Sequence, residues 1–281
     1  MKKALVIGNG ESRTWFKPCH QTIMEKGVMT WGCNAIYRDG HVHNLIAMDY
    51  AMQQEIYNSG YCDNNPEYGD VHNVYFANWN ILPATAVDMM LIGFDIPEAF
   101  IHKSKNRTNH CVIQGKDPNT IQEKIEYTMQ MYPNLDMNDL KLKMEKDVGI
   151  WITYVNEDDN IINMGSPTLS AGNIAVLMAC NEQRAKEVYL LGFDLSKYGD
   201  ALNNIYKGTD NYLPTNAKGF NPINWITQLT EIFDKYKSTT FYWTDCKIGG
   251  NASWHGASLT DYHSNVEIIS KSKLCEELVI V

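Results

Sequence analysis

Ala4-Leu5-Val6-Ile7-Gly8-Asn9-Gly10-Glu11-Ser12-Arg13 is the stretch that decides the fold. Leu5, Val6 and Ile7 are apolar in succession, as in a β-strand covered on both faces, and such strands belong to parallel sheets. Gly8 and Gly10 follow at once; without a Cβ they let the backbone turn sharply and approach a ligand closely. Ser12 is placed to cap a following helix, whose free N–H groups and positive dipole end favour an anion. The stretch therefore predicts an opening strand that runs into a phosphate- or nucleotide-binding turn. Asn9 adds a donor and an acceptor at the lip of that turn. The turn departs from the dinucleotide fingerprint in one place: the third glycine position holds Arg13.

Working outward, Val28–Trp31 reads as a second strand ending at Gly32-Cys33-Asn34, and Asn44–Met48 as a third ending at Asp49. Tyr50–Tyr57 reads as a helix, Val74–Phe76 as a fourth strand and Pro83–Ile92 as a helix. This βαβ rhythm predicts an α/β fold with a doubly wound, mainly parallel, Rossmann-like sheet. Parallel strands end on one side, so Asn9, Asn34 and Asp49 are expected in one crevice.

The middle of the chain has a different texture. Pro118–Met131 and Asn138–Lys146 have helical spacing, and Ile150–Val155 with Ile161–Met164 flank the polar run 156–160 as in a hairpin. Its Glu157-Asp158-Asp159 cluster reads as a turn, so no metal site is expected. A second small-residue turn follows, Ser170-Ala171-Gly172, opening an apolar helix and then a strand that ends in Gly192-Phe193-Asp194. This repeats the first arrangement of an anion-ready helix start and a polar strand end. Beyond Asp194 comes a loop rich in aromatics (Tyr198, Tyr206, Tyr212, Phe220), then a helix over Trp225–Tyr236 and a closing strand over Thr239–Thr244. The expected organisation is a nucleotide-binding domain over 1–100 and 165–245, a helical and hairpin insert or lid over 101–164, and a C-terminal tail over 246–281 packed on the core.

Composition sets outer bounds. The chain has 281 residues, 44% hydrophobic and 20% charged, enough for a large core. Its net charge of −9 does not supply general attraction to nucleic acid. Seven scattered cysteines without C-x-x-C spacing suit reduced thiols in a cytoplasmic compartment. Neither a secretory signal nor a membrane span is expected from the apolar runs.

Three blocks together resemble a family. They are Ile7–Ser12, the Cys33-Asn34-Ala35-Ile36-Tyr37 segment, and Ser170-Ala171-Gly172 through Leu191-Gly192-Phe193-Asp194. They resemble bacterial sialyltransferases that use CMP-sialic acid, and the related pterin pyrophosphokinase-like proteins. The whole chain is also similar to proteins of contractile-tailed phages, which would place it in the host cytoplasm.

The sialyltransferase resemblance implies nucleotide contacts by Asn9, Asn34, Ser170, Ala171, Gly172, Gly192, Asp194, Tyr206 and Tyr212, to which the reading of the glycine turn adds Gly8, Gly10 and Ser12. It also implies a histidine base just before the helix near Trp225, but this chain has no histidine between His110 and His255. Asp194 and Asp49, with His255 and His102 behind them, are then the candidate bases.

The leading expectation is a glycosyltransferase moving a sugar from a CMP- or UDP-linked donor to an acceptor hydroxyl. The acceptor would be a surface glycan or a hydroxymethylated DNA base. No obligatory cofactor is expected, and a homo-oligomer stays open. The alternatives are a pterin-type pyrophosphokinase and a non-catalytic nucleotide-binding protein.

Overall fold

In the computed structural model, residues 2–17, 23, 26–62, 73–77, 130, 161–164, 169–195, 199–245 and 263–278 are described. They contain eight strands: β1 Lys3–Ile7, β2 Val28–Cys33, β3 Asn44–Ala47, β4 Asn73–Phe76, β5 Ile161–Asn163, β6 Glu187–Leu191, β7 Thr240–Asp245 and β8 Val266–Ser270. Four α-helices accompany them: α1 Tyr50–Asn58, α2 Ala171–Asn181, α3 Ile223–Lys235 and α4 Lys271–Leu278. The strands form one sheet in the order β5-β4-β3-β2-β1-β6-β7-β8. Every pairing is parallel.

The Leu5-Val6-Ile7 run lies at the centre, as an all-apolar strand must. Its alternate residues feed two separate cores. Ala4 and Val6 pack with Val188, Leu190 and the apolar sides of α2 and α3, including Ile174, Leu229 and Phe233. Leu5 and Ile7 pack with Tyr189, Leu191, Met52 and Ile56 of α1, and Leu274 and Leu278 of α4. Helices therefore cover both faces, and the fold is a doubly wound, Rossmann-like α/β arrangement. α3 shows how sequence selects its face: Leu229, Ile232 and Phe233 are buried while Glu231 and Asp234 between and beyond them are exposed.

Register positions the site. β1 pairs with β2 from Lys3↔Val28 to Ile7↔Gly32, and with β6 from Lys3↔Glu187 to Ile7↔Leu191. The carboxyl ends of β1 and β6 are thus level, and β2 runs one residue further. The chain moves outward from β1 through β2 to β5, then returns to the other side of β1 as β6. The β1–β6 junction is the topological switch point, where open α/β sheets leave a crevice.

Two segments differ from the sequence reading. Ile161–Asn163, expected as a hairpin arm within the insert, is the edge strand β5, parallel to β4 with Val74↔Ile161. Within the expected tail, Val266–Ser270 extends the sheet as β8 beside β7, so Thr240–Asp245 does not close it. Both strands are short and pair with partners that local periodicity cannot reveal. The readings at Pro83–Ile92, Asn138–Lys146, Ile150–Val155 and the 156–160 turn, and at Pro118–Met131 except Gln130, lie outside the described residues.

Candidate functional site

The glycine turn after β1 is closed by the chain itself. Gly8 N–H donates to the Leu191 carbonyl at 2.8 Å, and Gly10 N–H to the Gly192 carbonyl at 2.9 Å. A Cβ on Gly8 would stand 2.6 Å from the Gly192 oxygen, and Gly192 itself sits at φ +76°. A Cβ on Gly10 would stand 2.5 Å from the Asp194 carboxyl carbon. These glycines are needed for two strand ends to cross at van der Waals contact. The N–H groups that follow are also taken. Ser12 N–H donates to Asp194 Oδ2 at 2.8 Å and Glu11 N–H to Asn203 Oδ1 at 2.7 Å. The Asp194 carboxylate occupies the position at which an anion would meet this turn. Burial pushes its pKa above the ordinary 3.8, with hydrogen bonds from Ser12 and Asn203 opposing.

Arg13 explains the missing third glycine. Its side chain is fully buried. Nε donates to the Gly8 carbonyl at 2.6 Å, one terminal nitrogen to Asp39 at 3.0 Å, and the other to the Tyr206 hydroxyl at 2.7 Å and Asn9 Oδ1 at 3.4 Å. The Tyr206 hydroxyl donates in turn to Asp39 Oδ2 at 2.6 Å. A buried cation is thus paired, with all three of its nitrogens hydrogen-bonded, the condition under which burial is tolerated. Burial, with Asp39 at its hydroxyl, raises the Tyr206 phenol far above neutrality. Asn9 is spent as well: besides accepting from Arg13, its Nδ2 donates to the Cys33 carbonyl at 3.3 Å and the Tyr212 hydroxyl at 3.4 Å.

The other side of the crevice carries polar groups left without partners among the described residues. Asp49 ends β3 and precedes α1, yet its side chain makes no capping bond. No side-chain partner is found for it among the described residues. It is exposed, but protein surrounds it closely enough that desolvation raises its pKa above 3.8. Its negative charge adds a little to the upward pKa shifts that burial gives the Cys33 thiol and the Tyr212 phenol. Cys33 is itself pushed up to about 12 by burial. Asn34, one residue past β2, sits at φ +52°, and its buried side-chain oxygen has no hydrogen-bond partner.

α2 completes this side. Ser170 N–H donates to Gln228 Oε1 at 3.0 Å, and Asn173 Nδ2 donates to the same oxygen at 2.9 Å and to the Trp225 carbonyl at 3.0 Å, tying α2 to α3. The Ser170 side chain makes no capping bond. The backbone N–H groups of Ala171, Gly172 and Asn173 have no acceptor among the described residues. Phe193 and the half-buried Met48, Met164 and Leu169 pack in the same cluster as α2, giving this end of the sheet an apolar floor.

Of the residues singled out from sequence, Gly8, Gly10, Ser12, Gly192, Asp194, Asn9 and Tyr206 are brought together and consumed in internal contacts. Asn34, Asp49 and the Ser170–Gly172 turn belong to the other side, with Tyr212 at the boundary. His255 and His102 lie outside the described residues. Arg13, Asp39, Arg38 and Glu55 carry the architecture of the crevice without having been predicted; the one available signal was the arginine in a glycine's place. Among the described residues no group of three or more His, Cys, Asp or Glu is placed to hold a metal ion, and no helix is long and apolar enough to cross a membrane. In comparison with known proteins, no protein-family model matches the chain and no curated protein matches it significantly.

Proposed function

We propose that the protein is a glycosyltransferase that takes a CMP- or UDP-linked sugar on the Asp49 side of the switch-point crevice. The observation that carries this reading is the contrast between two carboxylates. Burial raises the pKa of both, but Asp194 accepts from the Ser12 backbone N–H, while the exposed Asp49 side chain has no hydrogen-bond partner among the described residues. A raised pKa brings a carboxylate closer to the range in which a general base works. In the reaction, the acceptor hydroxyl gives its proton to Asp49 as its oxygen forms the new glycosidic bond. The sugar–phosphate bond breaks, and its electron pair leaves on the nucleotide phosphate. The N–H groups of Ala171, Gly172 and Asn173 then receive the growing phosphate charge. The net charge of −9 favours a glycan over DNA as acceptor.

Thermal stabilisation by CMP, UMP, UDP, GDP, ADP, Mg²⁺–ATP and NAD tests the reading. A ligand at 100 times its Kd adds about 2.7 kcal/mol. Stabilisation by a cytidine or uridine nucleotide, followed by Asp49-dependent turnover of the matching nucleotide sugar, is the expected result. Stabilisation by Mg²⁺–ATP alone points instead to diphosphate transfer. Tight binding without turnover points to a nucleotide-binding protein that is no enzyme.

A further inference from the structure

α2 and α3 both begin at the carboxyl edge of the sheet, since each leads back to the start of the next parallel strand. α2 packs on β1, β2 and β3, and α3 lies beside it. α3 reaches β7 through Phe233 and Phe241, whose ring centroids are 4.6 Å apart. On α3, Trp225 stands one turn before Leu229 and two before Phe233, on the same face. Leu229 and Phe233 are buried, whereas Trp225, in the first turn, is only half-buried against the same core. Its carbonyl accepts from Asn173 Nδ2 at 3.0 Å, which ties it to the first turn of α2. Phe220 meets the indole edge to face, with centroids 6.4 Å apart and planes at 81°.

Phe220 is 56% exposed, and Ile223 beside it in the chain 55%. The backbone that carries the ring is nevertheless braced. Gly219 N–H donates to the Asp200 carbonyl at 2.8 Å, Lys218 bridges Ala201, and Ile223 N–H donates to Asn221 Oδ1 at 3.1 Å. An exposed ring on a braced backbone is preorganised for stacking, because little freedom is lost when a partner arrives.

We infer that Phe220 and Trp225 form a stacking platform for the base of the donor nucleotide. The inference rests on the glycosyltransferase reading, which supplies an order. A nucleotide sugar runs from sugar through phosphate to ribose and base. Asp49, at the end of β3, marks the sugar and acceptor end, and the N–H groups of Ala171, Gly172 and Asn173 mark the phosphate. The nucleoside then extends away from β3, towards β6 and β7, the side on which α3 carries the two aromatic residues. The segment between them, Asn221-Pro222-Ile223-Asn224, has no charge, which suits a flat neutral ring and not a further phosphate. Every base has a π-face, so the platform demands a base without choosing which.

Calorimetric titration of the full chain with CMP, UMP and base-free ribose 5-phosphate tests the platform. The forms compared are wild type, Phe220→Ala, Trp225→Phe and Trp225→Ala. Phe220 is exposed, so Phe220→Ala should fold as wild type does and keeps the test readable if Trp225→Ala does not fold. Phe220→Ala should weaken CMP and UMP about 5- to 100-fold and leave ribose 5-phosphate unchanged. Trp225→Phe, which keeps a ring in place, should stay closer to wild type than Trp225→Ala. CMP and UMP bound equally by wild type and Phe220→Ala would overturn the platform and leave the nucleotide reading standing. Ribose 5-phosphate bound as tightly as CMP would do the same. No CMP or UMP bound by any form would remove the nucleotide reading and the platform with it.

Discussion

The chain builds the same device twice and uses it in opposite ways. After β1 and before α2 it places a turn of small residues at the carboxyl edge of a parallel sheet, leading into helical N–H groups. In the first turn the N–H groups of Gly8, Gly10, Glu11 and Ser12 are answered from within, the last two by Asn203 and Asp194, and Arg13 fills the space beneath. In the second, three N–H groups remain without acceptors among the described residues. The difference lies in what stands opposite. The first turn crosses the end of β6 at contact distance and is met there by a carboxylate. The second lies over an apolar floor of Phe193, Met48, Met164 and Leu169, and among the described residues no acceptor meets the N–H groups of Ala171, Gly172 and Asn173. A glycine turn at a strand end is therefore evidence of close approach, and only the opposing residue decides whether the thing approached is a ligand or the protein.

If the filled half is structural and the open half functional, substitutions should separate the two. The largest effect is expected at Asp49. Asp49→Asn should lower transfer about a hundred- to ten-thousandfold, the usual contribution of a general base, with nucleotide affinity little changed. Because the native pKa is raised, the acidic limb of the wild-type rate profile should lie above the ordinary carboxylate value of 3.8. A variant that keeps more than a tenth of wild-type turnover would remove Asp49 from the chemistry.

Arg13→Ala should come next, and in stability. It leaves the Gly8 carbonyl, Asp39 and the Tyr206 hydroxyl short of a donor. Since Asp39 is partly exposed, the loss should sit near the low end for a broken buried pair, about 3 kcal/mol. Urea unfolding measures it, and a loss under about 1 kcal/mol would show that the first turn does not depend on its internal cation. Asp194→Ala should cost about 1–3 kcal/mol by stranding the Ser12 N–H. That deficit depends on pH. The native pKa of Asp194 is raised, so wild-type stability falls as pH climbs from 3.8 through the native value. The variant lacks that fall, and its deficit should therefore shrink across the same window. A deficit that grows with pH would mean the carboxylate is held by charge rather than by burial.

The fold was legible where local pattern carries it. Leu5-Val6-Ile7, Val74–Phe76 and the apolar helix after Ser170 each appear within a residue or two of their predicted bounds, because continuous apolar runs mark strands and helices buried in a doubly wound sheet. β5 and β8 were not legible as sheet members, since three and five residues of ordinary texture gain their identity from distant partners. The crevice was legible as a place and not as a distribution of roles. Asn9, Asn34 and Asp49 do gather at adjoining strand ends. Sequence could not tell that Asn9 spends its whole amide on Arg13, Cys33 and Tyr212, or that Asp194 meets the first turn, because those partners lie up to some 200 residues away.

Gly172 gives the smallest and sharpest test of the contrast. Gly8, Gly10 and Gly192 are forced by contacts under 3 Å, so the chain itself requires them. Gly172 is not forced. Its Cβ would meet only the Phe193 ring, at 3.5 and 3.6 Å, which is ordinary packing. Alanine at a helical position compatible with its backbone stabilises by about 0.4–1 kcal/mol through the unfolded chain. Gly172→Ala should therefore raise the melting temperature slightly while weakening nucleotide binding, because the added methyl stands among the three N–H groups that lack an acceptor among the described residues. A stability gain with unchanged binding would mean that no ligand approaches α2 there. A stability loss would mean that the first turn of α2 is packed as tightly as the turn after β1, and the distinction between a filled half and an open half would fail.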